Sequence, residues 1–159
     1  MEFFTADLCD EFSDKTEVLG PNFKSYGGSV KFKGTAITVK LDKNNKDLAV
    51  LLRDKKGEGK VVVVEVERKY FAVVGDNLMK FASDNNYAGI IVNGYVRDIV
   101  NTKDFNVGLF AIGTCPKKYI PVQEGQINIP LNIDGVDIIE GDYIYADHDG
   151  IVISKEKLA

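Results

Sequence analysis

The chain has 159 residues, of which 45% are hydrophobic and 28% charged; this is the balance of a folded globular domain, and it excludes the low-apolar signature of disorder. A formal charge of −4 and a pI near 5.1 argue against nucleic acid as the main partner, because phosphate binding needs clustered Lys and Arg that displace counterions. The N-terminal "MEFFTADLCDEF" carries acids and no apolar core, and no apolar run approaches the ~18 residues of a membrane helix, so a cytoplasmic protein is expected. Cys9 and Cys115 stand at no metal-ligand or redox spacing and read as unpaired thiols.

In chain order, "TADLCDEF" predicts an amphipathic helix with Leu8, Cys9 and Phe12 on one face, Thr5 as its cap and Asp7 in the first turn. Gly20, Pro21 and Gly27-Gly28 mark turns, after which "SVKFKGTAITVKL" predicts two short strands around Gly34. Leu48, Leu51 and Leu52 mark a second helix. "KKGEGK" contains glycines but precedes a strand instead of opening a helix, so it reads as a turn and not a phosphate-binding loop.

"KVVVVEVE" is the β-branched run of a strand buried on both faces, and "YFAVV" and "AGIIVNG" repeat that pattern on either side of a helix with Leu78, Phe81 and Ala82 facing inward. The C-terminal third is strand-rich, with turns at Asp134-Gly135, Gly141-Asp142 and Asp149-Gly150. The single histidine, His148, sits among turn formers in "ADHDG" and reads as part of a solvated hairpin, not as a base or ligand. The alternation predicts an α/β fold in one domain spanning residues 1–159.

One stretch, "VVGDNLMKFASDNNYAGIIVNGYVRD", carries the chemistry. If "FAVV" is a strand and "NLMKFASDNN" a helix, then "GDNL" is the turn between them, and the first N–H groups of the helix are open to an anion. The next strand, "GIIVNG", should lie beside the first and end at Gly94, bringing Arg97 and Asp98 to the carboxyl edge that carries Gly75 and Asp76. Backbone amides, a guanidinium and two acids suit metal-assisted chemistry on a small oxo acid. Spacing alone leaves open the plainer alternative, in which Asp76 caps a helix and Arg97-Asp98 is a surface pair.

"TADLCDEF", "FKGTAITVKL", "GKVVVVE", the stretch from Gly75 to Asp98 and "GVDIIEGDYIYADHDGIVIS" together resemble, over nearly the whole chain, a known family. It joins the regulator of ribonuclease E activity A to the class II 4-hydroxy-4-methyl-2-oxoglutarate aldolases. The most specific element is an Asp, twenty residues, then Arg-Asp, which Asp76, Arg97 and Asp98 satisfy. The resemblance implies a swivelling β/β/α fold, assembled as a trimer with its sites at subunit interfaces.

It further implies that Gly75, Asp76, Asn77 and Leu78 bind the substrate carboxylate, that Arg97 binds the oxo-acid end, and that Asp98 ligates Mg²⁺ or Mn²⁺ while Asp76 orients a water on that cation. The reaction so implied is retro-aldol cleavage of 4-hydroxy-4-methyl-2-oxoglutarate to two pyruvates, with oxaloacetate decarboxylation as a side activity. The sequence departs from the aldolase pattern in three places: Asn93 stands where many members have Asp, and Asn101 and Thr102 where many have acids. The acid that the aldolases recruit from an adjacent subunit has no evident counterpart in this C-terminus. A regulator that docks on an endoribonuclease is the competing function, and a metabolite-binding trimer without turnover is a third. A methyltransferase finds no support, since no cofactor-binding glycine loop follows the first strand.

Overall fold

The computed structural model describes residues 2–119 and 124–159. In chain order its elements are α1 (Thr5–Glu11), β1 (Glu17–Val18), β2 (Lys24–Ser25), β3 (Phe32–Lys40), α2 (Lys46–Asp54), β4 (Lys60–Glu65), β5 (Ala72–Val74) and α3 (Asp76–Asp84). There follow β6 (Gly89–Val96), α4 (Ile99–Thr102), β7 (Gly108–Thr114), β8 (Gln126–Ile127), β9 (Leu131–Ile133), β10 (Val136–Ile138), β11 (Tyr143–Asp147) and β12 (Gly150–Ser154). Ten strands form one mixed sheet in the order β1-β12-β11-β3-β4-β6-β7-β2, with β5 on β6 and β8 on β3; β9 and β10 make a separate hairpin.

The valine run explains the layering. Successive side chains of a strand point to opposite faces, and Val61 to Val64 are all fully buried. Val62 and Val64 pack with Leu48 and Leu52 of α2 and with Leu78, Met79 and Ala82 of α3. Val61 and Val63 pack on the opposite face with Leu131 and Ile133 of β9 and Val136 and Ile138 of β10. Each fully buried side chain of this size contributes roughly 1.5–3 kcal/mol, so β4 needs both covers. Helices on one face and a β-hairpin on the other give the expected β/β/α arrangement in a single mixed α/β domain. No helix among the described residues is long and apolar enough to cross a membrane.

Three local expectations are corrected. Gly34 does not separate two strands: β3 runs through it from Phe32 to Lys40. The residue is small because the backbone leading into β4 passes close by, and a Cβ there would meet the Gly59 carbonyl oxygen at 2.6 Å. The strand "GIIVNG" continues past Gly94 to Val96, because Tyr95 and Val96 find new partners in β5. Thr5 is not the cap of α1 but its first residue, with Phe4 at the cap position.

The N–H that Thr5 leaves open is taken by Asp147, whose carboxylate accepts the Thr5 N–H at 2.8 Å and the Thr5 hydroxyl at 2.6 Å, and also the Asp149 N–H at 2.9 Å. This ties α1 to the β11–β12 hairpin, over which Phe3, Leu8, Tyr145 and Val152 form a separate core. His148 lies exposed at the tip of that hairpin, as expected, and Cys9 and Cys115 are free thiols.

The carboxyl edge of the sheet is shaped by a detour. β4 pairs in parallel with Gly89 to Asn93 of β6, and β5 then pairs with Tyr95 and Val96, so both strands occupy the same side of β6. Between them the chain leaves the sheet through Glu67 and Arg68, both at positive φ (55° and 56°). A polar chain, buried at Glu65 and Asn93, holds this detour: Glu65 accepts from the Glu67 N–H at 2.6 Å and from the Asn93 amide at 2.9 Å. Asn93 in turn accepts from Arg68 Nε at 2.9 Å, and the same guanidinium reaches Asp134 at 2.6 Å. The amide at position 93 both gives and accepts; an aspartate there would place a second carboxylate beside Glu65.

Burial of the Asp147 carboxyl works to raise its pKa, but the Thr5 hydroxyl, the Thr5 N–H and the Asp149 N–H outweigh it and hold the group below the usual carboxylate range. A depressed folded-state pKa contributes stability above the unfolded value and loses it as pH falls through the folded value. Asp147→Ala is expected to destabilise by roughly 1–3 kcal/mol at neutral pH. In melts taken from pH 7 downward, the gap to the parent should hold to about pH 4 and close below it. A gap that stays constant down to pH 2 would remove Asp147 from this role.

Candidate active site at the ends of two parallel strands

The edge of β5 against β6 fixes the site. The Arg97 N–H donates to the Val74 carbonyl at 2.9 Å, which locks the end of β6 to the end of β5. The next residue on each chain segment is then forced into proximity: Gly75 caps α3, and Asp98 turns the chain into α4. Asp98 does so in the left-handed region, at φ 61° and ψ 34°. That conformation costs most residues about 1–2 kcal/mol, and aspartate is among the few side chains that adopt it with any frequency. Its carbonyl accepts the N–H groups of Asn101 and Thr102 at 2.8 and 2.9 Å, and the Thr102 hydroxyl anchors α4 on the Tyr26 carbonyl at 2.7 Å.

With the backbone so turned, the Asp98 carboxylate accepts the Asp76 N–H, the first of α3, at 3.0 Å. A helix N-terminus favours an anion both through its unpaired N–H groups and through the aligned peptide dipoles. Gly75 has an ordinary extended conformation, and it is space that requires glycine: a Cβ there would sit 2.4 Å from the Asp98 carboxylate. The plain reading of Asp76 as a side-chain cap of its own helix is not what the structure has, since no side chain caps α3 from the Gly75 position.

All six predicted residues, Gly75, Asp76, Asn77, Leu78, Arg97 and Asp98, line one polar cleft of about 50 Å³. A second hollow of about 280 Å³ lies beside it and shares Arg97 and Asp98 with it. The Arg97 guanidinium donates to the Pro116 carbonyl at 3.2 Å and keeps further N–H donors for a ligand. The Asp76 carboxylate receives one long contact, 3.4 Å, from the Asn101 amide. A roomier hollow of about 440 Å³ between the segment Val18 to Phe23 and the β12 start brings together no acid pair with a guanidinium.

The donor chemistry fits a hard divalent cation. One Asp98 oxygen accepts the Asp76 N–H, and the other accepts from no protein donor among the described residues; Asp76 adds a second carboxylate. Carboxylate oxygens without Cys or His suit Mg²⁺ or Mn²⁺, which keep several waters. The described residues contain no cluster of three or more potential metal-binding acids, histidines or cysteines, so two protein carboxylates are the whole local supply.

Two lining residues had no signal in the sequence. Asn45 donates to the Val73 carbonyl at 2.9 Å, and Lys118 enters the cleft from the segment after β7. Neither stands at a motif spacing; only the sheet order brings β7 next to β6. The departure at Asn101 acquires a contact through its amide to Asp76, while Thr102 is buried in a structural role.

A family model described as RraA-like, aldolase/RraA, matches residues 5–153. The chain is 38% identical over 159 residues to a protein of Laribacter hongkongensis named "Putative 4-hydroxy-4-methyl-2-oxoglutarate aldolase", covering 99% of both chains. It is 39% identical over 158 residues to a Bacillus cereus protein of the same name, covering 97% of each. Among solved structures, one from Geobacillus kaustophilus described as an S-adenosylmethionine: 2-dimethylmenaquinone methyltransferase is 36% identical with a TM-score of 0.93, over 98% of this chain and 97% of the other. The RNA-processing inhibitor RraA from Thermus thermophilis is 32% identical, also with a TM-score of 0.93, over 100% and 96% of the two chains. By its matched length, its curated relatives and its fold, this chain belongs to the RraA-like family, the aldolase/RraA group.

Proposed function

We propose that the protein is a divalent-metal-dependent lyase that cleaves 4-hydroxy-4-methyl-2-oxoglutarate to two molecules of pyruvate, and decarboxylates oxaloacetate as a side reaction. The observation that carries this reading is the Asp98 carboxylate held 3.0 Å from the first N–H of α3, in one cleft with Asp76 and Arg97. In this reading Asp98 holds Mg²⁺ or Mn²⁺, with Asp76 supporting its water shell. The cation, when bound, supplies Lewis-acid polarisation of the substrate's 2-oxo group.

The chain's own groups do the rest. The N–H groups of Asn77 and Leu78 at the start of α3 receive the carboxylate next to the oxo group. Arg97 turns its remaining donors to the oxo oxygen, where negative charge develops as the bond between C3 and C4 breaks and its electron pair moves toward that oxygen. The C4 hydroxyl gives up its proton, through water, to the Asp76 carboxylate and becomes the carbonyl of the second pyruvate. The enolate then takes a proton at C3 and leaves as the first. No lysine Schiff base is required. The protein brings two acids to this site from one chain, and a third would come from an adjacent subunit of a homotrimer.

The second reading is a regulator that binds and inhibits an endoribonuclease without chemistry of its own, supported by the likeness to the RNA-processing inhibitor. There Arg97 would be one surface charge among several.

Asp98→Asn keeps a side chain that tolerates the left-handed backbone but loses the charge a hard cation needs. It should lower Mg²⁺-dependent pyruvate release by about a hundredfold or more with the fold intact and a melting temperature only a few degrees lower, and equal turnover at limiting Mg²⁺ would take Asp98 out of the metal site. Arg97→Lys retains a positive charge without the planar fork. It is expected to slow oxaloacetate decarboxylation by at least about tenfold at unchanged oligomer size; undiminished decarboxylation would favour the regulator. Sedimentation at micromolar concentration should give three times the mass of one chain, and a monomer alone would contradict the shared site.

A further inference from the structure

Lys118 lies outside the motif that joins Asp76 to Arg97 and Asp98, yet it lines the same cleft. The three residues before it are pinned to the sheet. The Cys115 N–H donates to the Val96 carbonyl at 3.0 Å, the Pro116 carbonyl accepts from Arg97 at 3.2 Å, and the Lys117 carbonyl accepts the Ala72 N–H at 2.7 Å. The segment is thus laced to β6 through Cys115, to β5 through Lys117 and to the catalytic guanidinium itself. The neighbouring cations are engaged elsewhere: the Lys117 and Lys43 ammonium groups stand 5.6 and 5.7 Å from the centre of the Tyr119 ring. Among the described residues Lys118 forms no ion pair.

The charges of the cleft point the same way. Asp76 and Asp98 are offset by Arg97 and Lys118, so the four side chains sum to zero. A divalent cation adds two positive charges, so that even with one further acid from an adjacent subunit the site keeps a net positive charge for a substrate that carries carboxylates. The N–H groups of α3 and Arg97 account for the 2-oxo acid end, which leaves one ammonium for the other. We infer that Lys118 is a specificity-determining residue that binds the second carboxylate of the substrate, selecting 2-oxo acids with a carboxylate at each end.

This inference rests on the lyase reading and makes its own demand on the kinetics. In retro-aldol cleavage the C3–C4 bond breaks but the distal carboxylate stays on the departing pyruvate, so Lys118 holds the same charge in the ground and transition states. That is uniform binding, which lowers KM without raising kcat. In oxaloacetate the distal carboxylate is itself the leaving group: the C3–C4 bond breaks, the electron pair goes to the enolate, the carboxylate departs as neutral CO₂, and C3 takes a proton from water. An ammonium that holds this carboxylate therefore stabilises the reactant more than the transition state and slows the bound step.

The test is steady-state kinetics of the full chain with Mg²⁺, on 4-hydroxy-4-methyl-2-oxoglutarate and on oxaloacetate, for the parent, Lys118→Met and Lys118→Arg. Lys118→Met should raise KM for both substrates by about tenfold or more and should raise the ratio of kcat on oxaloacetate to kcat on the hydroxy acid. Lys118→Arg should recover most of the KM. A KM within twofold of the parent on both substrates would overturn the assignment, as would a raised KM with no change in that ratio. A parent inactive on both would overturn the lyase reading and this inference with it, whereas an active parent indifferent to Lys118→Met overturns this inference alone.

Discussion

The contact on which the site depends is the 3.0 Å hydrogen bond from the Asp76 N–H to the Asp98 carboxylate. It joins the N-terminus of a helix to the residue just past the end of a strand, and each participant is constrained by a different physical requirement. Asp98 must be left-handed, Gly75 must lack a Cβ, and Arg97 must have its N–H on Val74. Relaxing any one of these would separate the two acids. The positive end of α3 compensates the charge of Asp98 and offsets part of the backbone strain at that residue.

The rest of the fold reads as support for that contact. β5 is three residues long and pairs with β6 alone, so its position comes from the packing of Val73 and Val74 in the helical-side core and from the detour at Glu67 and Arg68. The chain of Glu65, Asn93, Arg68 and Asp134 satisfies the polar groups that such a detour would otherwise bury unpaired. It also links the edge of the sheet to the turn of the β9–β10 hairpin on the opposite face. The site is therefore carried by strand ends and a helix start rather than by a long loop, the kind of footing that holds catalytic geometry to within a fraction of an ångström.

The family contains proteins named as aldolases, which this chain resembles in sequence, and proteins named for inhibition of RNA processing, which it matches closely in fold. Fold likeness cannot choose between them, because function resides in the site grafted on the fold. The local chemistry is an acid pair, a guanidinium with donors to spare and a lysine that line one polar cleft.

The α/β class, the two-faced burial of "VVVV", the inward face of α2 and the exposed hairpin at His148 were all determined by the sequence, because period and turn chemistry are local properties; on α3 Leu78 and Ala82 face inward as expected, but Met79 is fully buried as well and Phe81 is only partly buried. The pattern around Asp76, Arg97 and Asp98 was likewise enough to place a strand before Asp76, and a helix and a second parallel strand between Asp76 and Arg97. Other features were decided only in three dimensions. Gly34 reads locally as a break, but a neighbouring backbone is what requires it to be small; Thr5 reads as a cap, but its partner Asp147 lies 142 residues away. Asn93 and Arg68 look like unrelated polar residues until β4 and β6 align them, and Lys118 joins Asp98 only because β7 returns beside β6. Pairing between strands is set by the burial of whole faces, a property of the assembled sheet that no short window of residues carries.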